Sequence, residues 1–174
     1  MDHPSSTPEP SQATQATHCP TAVPVYATGR WTTGLGGGFS AFFECLTKGG
    51  FTPYDWTSES HNRLPIAEQS DHIYEWIEKS AYFIFLCEDP AYDYSASRIQ
   101  LGLALALGKP VIFVDPAGGT HRHWTEGGHG GREGYHRIIS NVHGLAALAR
   151  GQIRVVADLT AVHDILSLYV ANFR

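Results

Sequence analysis

The segment Ser80 to Pro116, SAYFIFLCEDPAYDYSASRIQLGLALALGKPVIFVDP, constrains the fold more than any other part of the chain. Tyr82 to Cys87 is an almost unbroken apolar run, too short for a helix, as expected of a strand covered on both faces. The loop that follows, Glu88 to Tyr94, gathers three carboxylates (Glu88, Asp89, Asp93) and two tyrosines (Tyr92, Tyr94). Ile99 to Leu107 is helical in composition and apolar nearly all round, which predicts a buried helix. Gly108-Lys109-Pro110 stops it, and Val111 to Val114 is a second buried strand. A βαβ unit of this kind has parallel strands and a right-handed crossover. Polar groups at the carboxyl end of such a strand stand where open α/β sheets bind ligands.

The flanking sequence continues the alternation. Residues 1–20 are rich in Pro, Ser, Thr and Gln and nearly free of large apolar residues, so they are expected to form a flexible tail. Residues 21–174 are expected to form one α/β domain. Its first strand is Val23 to Thr28, and Gly29 to Gly38 is a glycine-dominated loop with Arg30 and Trp31 at its mouth. Phe39, Phe42, Phe43 and Leu46 recur at helical spacing up to Gly49-Gly50, a C-cap signal. Phe51 to Trp56 predicts a short second strand interrupted by Pro53, and Thr57 to Leu64 a polar loop. A helix then opens at Pro65, with Ile66, Ile73, Trp76 and Ile77 on one face, and runs to about Lys79.

After the central unit, Ala117 to Gly134 is a Gly- and His-rich connection without period. Short elements over Arg137 to Val142 and Leu145 to Leu148 lead to a last strand, Ile153 to Ala157. A closing helix is marked by Val162, Leu166, Tyr169 and Phe173. Five strands alternating with helices predict a doubly wound, five-stranded parallel sheet of order 2-1-3-4-5. That order brings the loop Tyr26 to Gly38 beside the loop Glu88 to Ser97.

The totals narrow the function classes. A formal net charge of -5 with no basic run argues against nucleic acid as a partner. No apolar stretch reaches spanning length, and the N-terminus has no apolar signal segment, so a soluble cytoplasmic protein with no membrane partner is expected. Cys45, on a helix, and Cys87, on a strand, are expected to be core thiols of a reducing compartment, and Cys19 falls in the tail.

Three constellations carry candidate chemistry. Gly34, Gly36, Gly37 and Gly38 precede a helix whose free N–H groups can meet a phosphate or ribose, or they form only a flexible turn; the spacing matches neither the dinucleotide fingerprint nor the phosphate loop. In the second, Ser97-x-x-Gln100 reads as a capping box, compatible with a ligand contact from Gln100. The acids Glu88, Asp89 and Asp93 either cap the next helix through its dipole or share acid and base roles, the first being preferred. The third is His121, His123, His129 and His136, read as a mobile lid with Trp124 rather than a metal site, since no cysteine or His-Glu-x-x-His spacing accompanies it. No metal and no cofactor are expected. Tyr54, Trp56 and Trp76 fall at core spacings, whereas Trp31 and Tyr92 lie in loops where either can stack on a base.

Val25-Tyr26-Ala27-Thr28-Gly29, together with Gln100-Leu101-Gly102-Leu103-Ala104-Leu105-Ala106-Leu107-Gly108-Lys109-Pro110-Val111, resembles the nucleoside 2-deoxyribosyltransferase superfamily, which includes nucleotide N-glycoside hydrolases. The resemblance covers roughly residues 23–116. It implies N-glycosidic bond chemistry on nucleosides or nucleoside monophosphates in a homo-oligomer. It also implies a site with Gln100, Asp93 and Asp89 as candidate catalytic groups. Tyr26, Gly29, Arg30, Trp31, Glu88, Tyr92 and Ser97 are its candidate substrate contacts. Members place a nucleophilic glutamate where this chain has Gln100, whose neutral amide is a poor nucleophile, so the resemblance implies impaired or altered chemistry. Asp71 falls out of register with a family acid, Ile73 standing in its place, and Ala81 stands where an aspartate is usual. An alternative resemblance, carried by Ile77 to Tyr82 and Asp93-Tyr94-Ser95, is to TIR domains and implies a non-catalytic protein-interaction module.

Overall fold

The computed structural model describes residues 22–31, 38–88, 92–116, 138, 142 and 144–172. Five parallel strands, β1 (Val23–Arg30), β2 (Phe51–Pro53), β3 (Tyr82–Cys87), β4 (Val111–Val114) and β5 (Ile153–Val156), form one sheet of order β2-β1-β3-β4-β5. The helices are α1 (Gly38–Lys48), α2 (Glu59–Asn62), α3 (Ile66–Lys79), α4 (Ser95–Ala106), α5 (Leu145–Ala149) and α6 (Leu159–Asn172). The doubly wound architecture predicted from the alternation is the one observed.

Each face of the sheet has its own core. On one, Tyr26, Phe83, Phe85, Val111 and Phe113 pack with Ile77 of α3, Leu101 and Ala104 of α4 and Ala147 of α5. On the other, Val25, Ala27, Ile84, Leu86, Ile112 and Val114 meet Phe42, Phe43 and Leu46 of α1 and Val162 and Leu166 of α6. The strict two-residue alternation of strand side chains sorts these sets. Burial on both faces explains why β3 and β4 read as continuous apolar runs.

Several local departures have clear causes. β2 stops at Pro53, three residues short of the expected end at Trp56. Tyr54 N–H still reaches Val25 O at 3.3 Å, and the indole Nε1–H of Trp56 then donates to Ala27 O at 2.7 Å, standing in for the missing backbone donor. The expected polar loop 57–64 holds a one-turn helix, α2, opened by Ser58, whose Oγ accepts from His61 N–H at 3.3 Å. Helix α4 ends as a Schellman motif: Gly108 lies at φ 70°, with Lys109 N–H on Ala104 O at 2.9 Å and Gly108 N–H on Leu105 O at 3.1 Å. Three burial expectations are corrected. Ile66, expected on the apolar face of α3, is 81 % exposed. Ile99 is 75 % exposed, so α4 presents one flank to solvent and is not apolar-covered all round. Cys45 faces away from the core that Phe42, Phe43 and Leu46 enter and is exposed, while Cys87 is buried.

The tail 1–20, Gly34, Gly36, Gly37, Asp89, Trp124, Phe173 and the histidines 121, 123, 129 and 136 lie outside the described residues. Among the described residues no helix is long and apolar enough to cross a membrane.

Candidate functional site

The switch point of the sheet lies between β1 and β3, and the two strands stay paired to their carboxyl ends, with Arg30 beside Cys87. Glu88 N–H continues the ladder to Arg30 O at 3.4 Å. The segments leaving β1 and β3 therefore emerge side by side, as the strand order requires.

Alternation along β1 sends Tyr26, Thr28 and Arg30 toward the face covered by α3 and α4. Each meets a different environment there. Arg30 places its guanidinium carbon 4.5 Å from the centre of the Tyr92 ring, which is itself 43 % exposed at the rim. The hydroxyl of Thr28, buried, donates to Ser97 Oγ at 3.0 Å. Tyr26 is fully buried, its ring stacked between Tyr54 (6.1 Å, 24°) and Phe83 (5.7 Å, 20°), yet among the described residues its hydroxyl has no hydrogen-bond partner. Burial, and secondarily the neighbouring Tyr54 phenol, hold the Tyr26 phenol well above the usual tyrosine range.

The first turns of α4 overturn the capping-box expectation. The helix begins at Ser95 with Tyr94 at the N-cap, so Ser97 is the third helical residue and Gln100 lies in the second turn, out of reach of the cap. The hydroxyl of Ser97 meets Thr28 instead. Gln100 Oε1 is buried with no partner among the described residues. Its direction follows from helical geometry. Ser97 and Ala104 face the sheet, and Gly102 turns toward Val142, 3.9 Å from where its Cβ would stand. Gln100 then falls on the opposite flank, toward α3 and β1. Since α4 returns against the strand direction, the turn from Ser97 to Gln100 matches the step from Thr28 back to Tyr26. Helical geometry thus turns the amide of Gln100 toward the side of the sheet that holds the Tyr26 phenol.

The other candidates separate from this pair. Asp93 accepts from Ser95 Oγ and, at 2.6 Å, from Arg98, with its own side chain 71 % exposed; it braces the start of α4 rather than joining Gln100. Trp31 is 6 % exposed and belongs to the opposite core with Phe42 and Phe43, so it is not a platform at the rim, although its indole N–H has no partner. Gly29 has a steric reason to be glycine: at φ 113° any Cβ would stand 2.1 Å from Leu86 O. Glu88 is half-buried at the end of β3, and Asp89 lies outside the described residues.

One group escaped the sequence altogether. His61, buried on α2, has its Nδ1 2.6 Å from the hydroxyl of Tyr54, whose ring also stacks on Trp76 (5.0 Å, 21°). The available signal was Ser58 followed by Glu59, an N-cap and first-turn acid inside a stretch that otherwise reads as loop. Compared with family models and with curated proteins, the chain matches none.

Proposed function

We propose that the chain is a nucleoside- or nucleotide-binding protein whose site lies at the switch point between β1 and β3, and that it binds the sugar without forming a covalent ester to it. One observation carries this reading: Tyr26 Oη and Gln100 Oε1 are both buried and both without a partner among the described residues, and helical geometry turns Gln100 toward the side of the sheet that holds Tyr26. A buried polar atom without a partner costs about 1–3 kcal/mol, so a persistent pair of them marks a place that a ligand completes. A hydroxyl group answers both, since it accepts from the phenol and donates to the amide oxygen. Sugars supply such hydroxyls, and the rim beside them carries Arg30 over the half-exposed Tyr92 ring. The resemblance in strand β1 and helix α4 points to the same ligand class.

Gln100 has no negative charge with which to attack an anomeric carbon, which is why binding without covalent catalysis is preferred. The test is a thermal-shift and calorimetric panel of nucleosides and nucleoside monophosphates on wild-type protein and Gln100→Glu. Saturable binding by wild type is expected, with base exchange or hydrolysis gained in the glutamate variant. Absence of binding to every member by both proteins removes the proposal.

A further inference from the structure

We propose that His61 is a positioning residue for this site, acting through Tyr54 on the hydroxyl of Tyr26; the inference rests on the nucleoside-binding reading above. The described residues contain a continuous stack across the α3 side of the sheet. Lys79 Nζ lies 3.6 Å from the centre of the Trp76 ring, Trp76 stacks on Tyr54, Tyr54 on Tyr26 and Tyr26 on Phe83. Tyr54 is the middle of this series and follows directly on β2, which ends at Pro53. Its backbone N–H still reaches Val25 O at 3.3 Å, while the ring is held at its far end, where the hydroxyl meets His61 Nδ1 at 2.6 Å, and along its edge, where the imidazole stands at 5.5 Å and 89°.

His61 is fixed in turn. It is buried, and its backbone N–H is held by Ser58 Oγ. With its ring proton on Nε2, Nδ1 receives the Tyr54 hydroxyl, and the long axis of the phenol cannot swing away without breaking that bond. Offset-stacked rings transmit such a restraint, since tilting one ring drives its edge into the next. The Tyr26 hydroxyl, which has no hydrogen bond of its own, depends on this neighbour for its position. A ligand hydroxyl bonding to Tyr26 would therefore find it pre-set, at less cost in ordering.

The test compares His61→Phe, which keeps an aromatic ring without an acceptor, with His61→Asn, whose Oδ1 occupies the place of Nδ1, and with Tyr54→Phe. The probe ligand is the tightest binder among the four 2′-deoxynucleosides and their 5′-monophosphates. His61→Phe and Tyr54→Phe are each expected to weaken it about tenfold, the double variant no further than either, and His61→Asn to restore it. Ring-13C-tyrosine NMR, with Tyr26 assigned by Tyr26→Phe, supplies a readout that needs no ligand. Slow flipping of the Tyr26 ring in wild type is expected to become fast in His61→Phe and slow again in His61→Asn. If wild type binds no probe, the nucleoside reading fails by itself, and the NMR arm still decides the coupling. Unaltered Tyr26 dynamics in folded His61→Phe, or equal affinity loss in the phenylalanine and asparagine variants, overturns the proposal. Should His61→Phe not fold, Tyr54→Phe carries the same comparison with the stack intact.

Discussion

The hydroxyl of Thr28 donates to Ser97 Oγ at 3.0 Å, joining β1 to the first turn of α4 across 69 residues of sequence. This bond sets where α4 lands on the sheet, and so where Gln100 faces one turn later. Thr28→Val strands a half-buried Ser97 hydroxyl, and a loss of about 1–2 kcal/mol in urea unfolding is expected. Adding Ser97→Ala removes the stranded group, so the double variant is expected to lose less than the sum of the single changes.

Two glycines with positive φ separate steric need from conformational preference. At Gly29 a Cβ would stand 2.1 Å from Leu86 O, inside the β1–β3 ladder. At Gly50, φ 86°, nothing lies within 4 Å. Gly50→Ala is expected to cost about 1 kcal/mol from backbone strain alone. Gly29→Ala is expected to cost more than about 3 kcal/mol or to yield no soluble protein, since the ladder must open to admit the methyl. Equal melting temperatures for the two variants would contradict the packing described here.

Gln100→Leu separates a binding role from a structural one. If the unpaired Oε1 is held for a ligand, replacing the amide with a side chain of similar volume removes a buried, unsatisfied acceptor. Stability is expected to rise by about 1 kcal/mol while nucleoside affinity disappears. Denaturant melts and calorimetry on the same preparation check both, and a drop in stability would show that the amide is already paired.

The buried phenol predicts a stability limit at high pH. Tyr26 titrates above the ordinary value of about 10 in the folded state because burial disfavours its anion, and Tyr54 shifts the same way, first through burial and then through Glu75. Above about pH 10 the unfolded chain loses these protons while the folded chain keeps them, so the native state binds more protons and stability falls as pH rises. Below the unfolded value the contribution is fully present. A decline of about 1.4 kcal/mol per pH unit from Tyr26 is expected above pH 10. Tyr26→Phe should flatten it, as read from unfolding curves between about pH 8.5 and pH 11.5.

The strand order was legible because its signals are local: β3 and β4 are apolar runs bounded by Gly, Pro or charge, and two-sided burial leaves parallel pairing as the available arrangement. The candidate site was legible only in outline. Ser97-x-x-Gln100 fits a capping box and a helix interior equally well, and no residue nearby distinguishes them. The distinction rests on Thr28, far away in sequence, which engages the serine hydroxyl, and the helix starts two residues before Ser97 with Tyr94 at the N-cap position and no side-chain cap bond. Trp31 read as a loop aromatic because its burial depends on α1 closing over it, a contact that no local pattern encodes.

Periodicity and breakers alone determined the five strands, their winding and the end of the sheet where β1 and β3 open together, because those follow from which residues must leave water within a few positions of one another. Which side chains end without partners there was decided by tertiary packing. Whether a hydroxyl or an amide is satisfied depends on what another element delivers within about 3 Å. For Tyr26 and Gln100 none of the described residues delivers one.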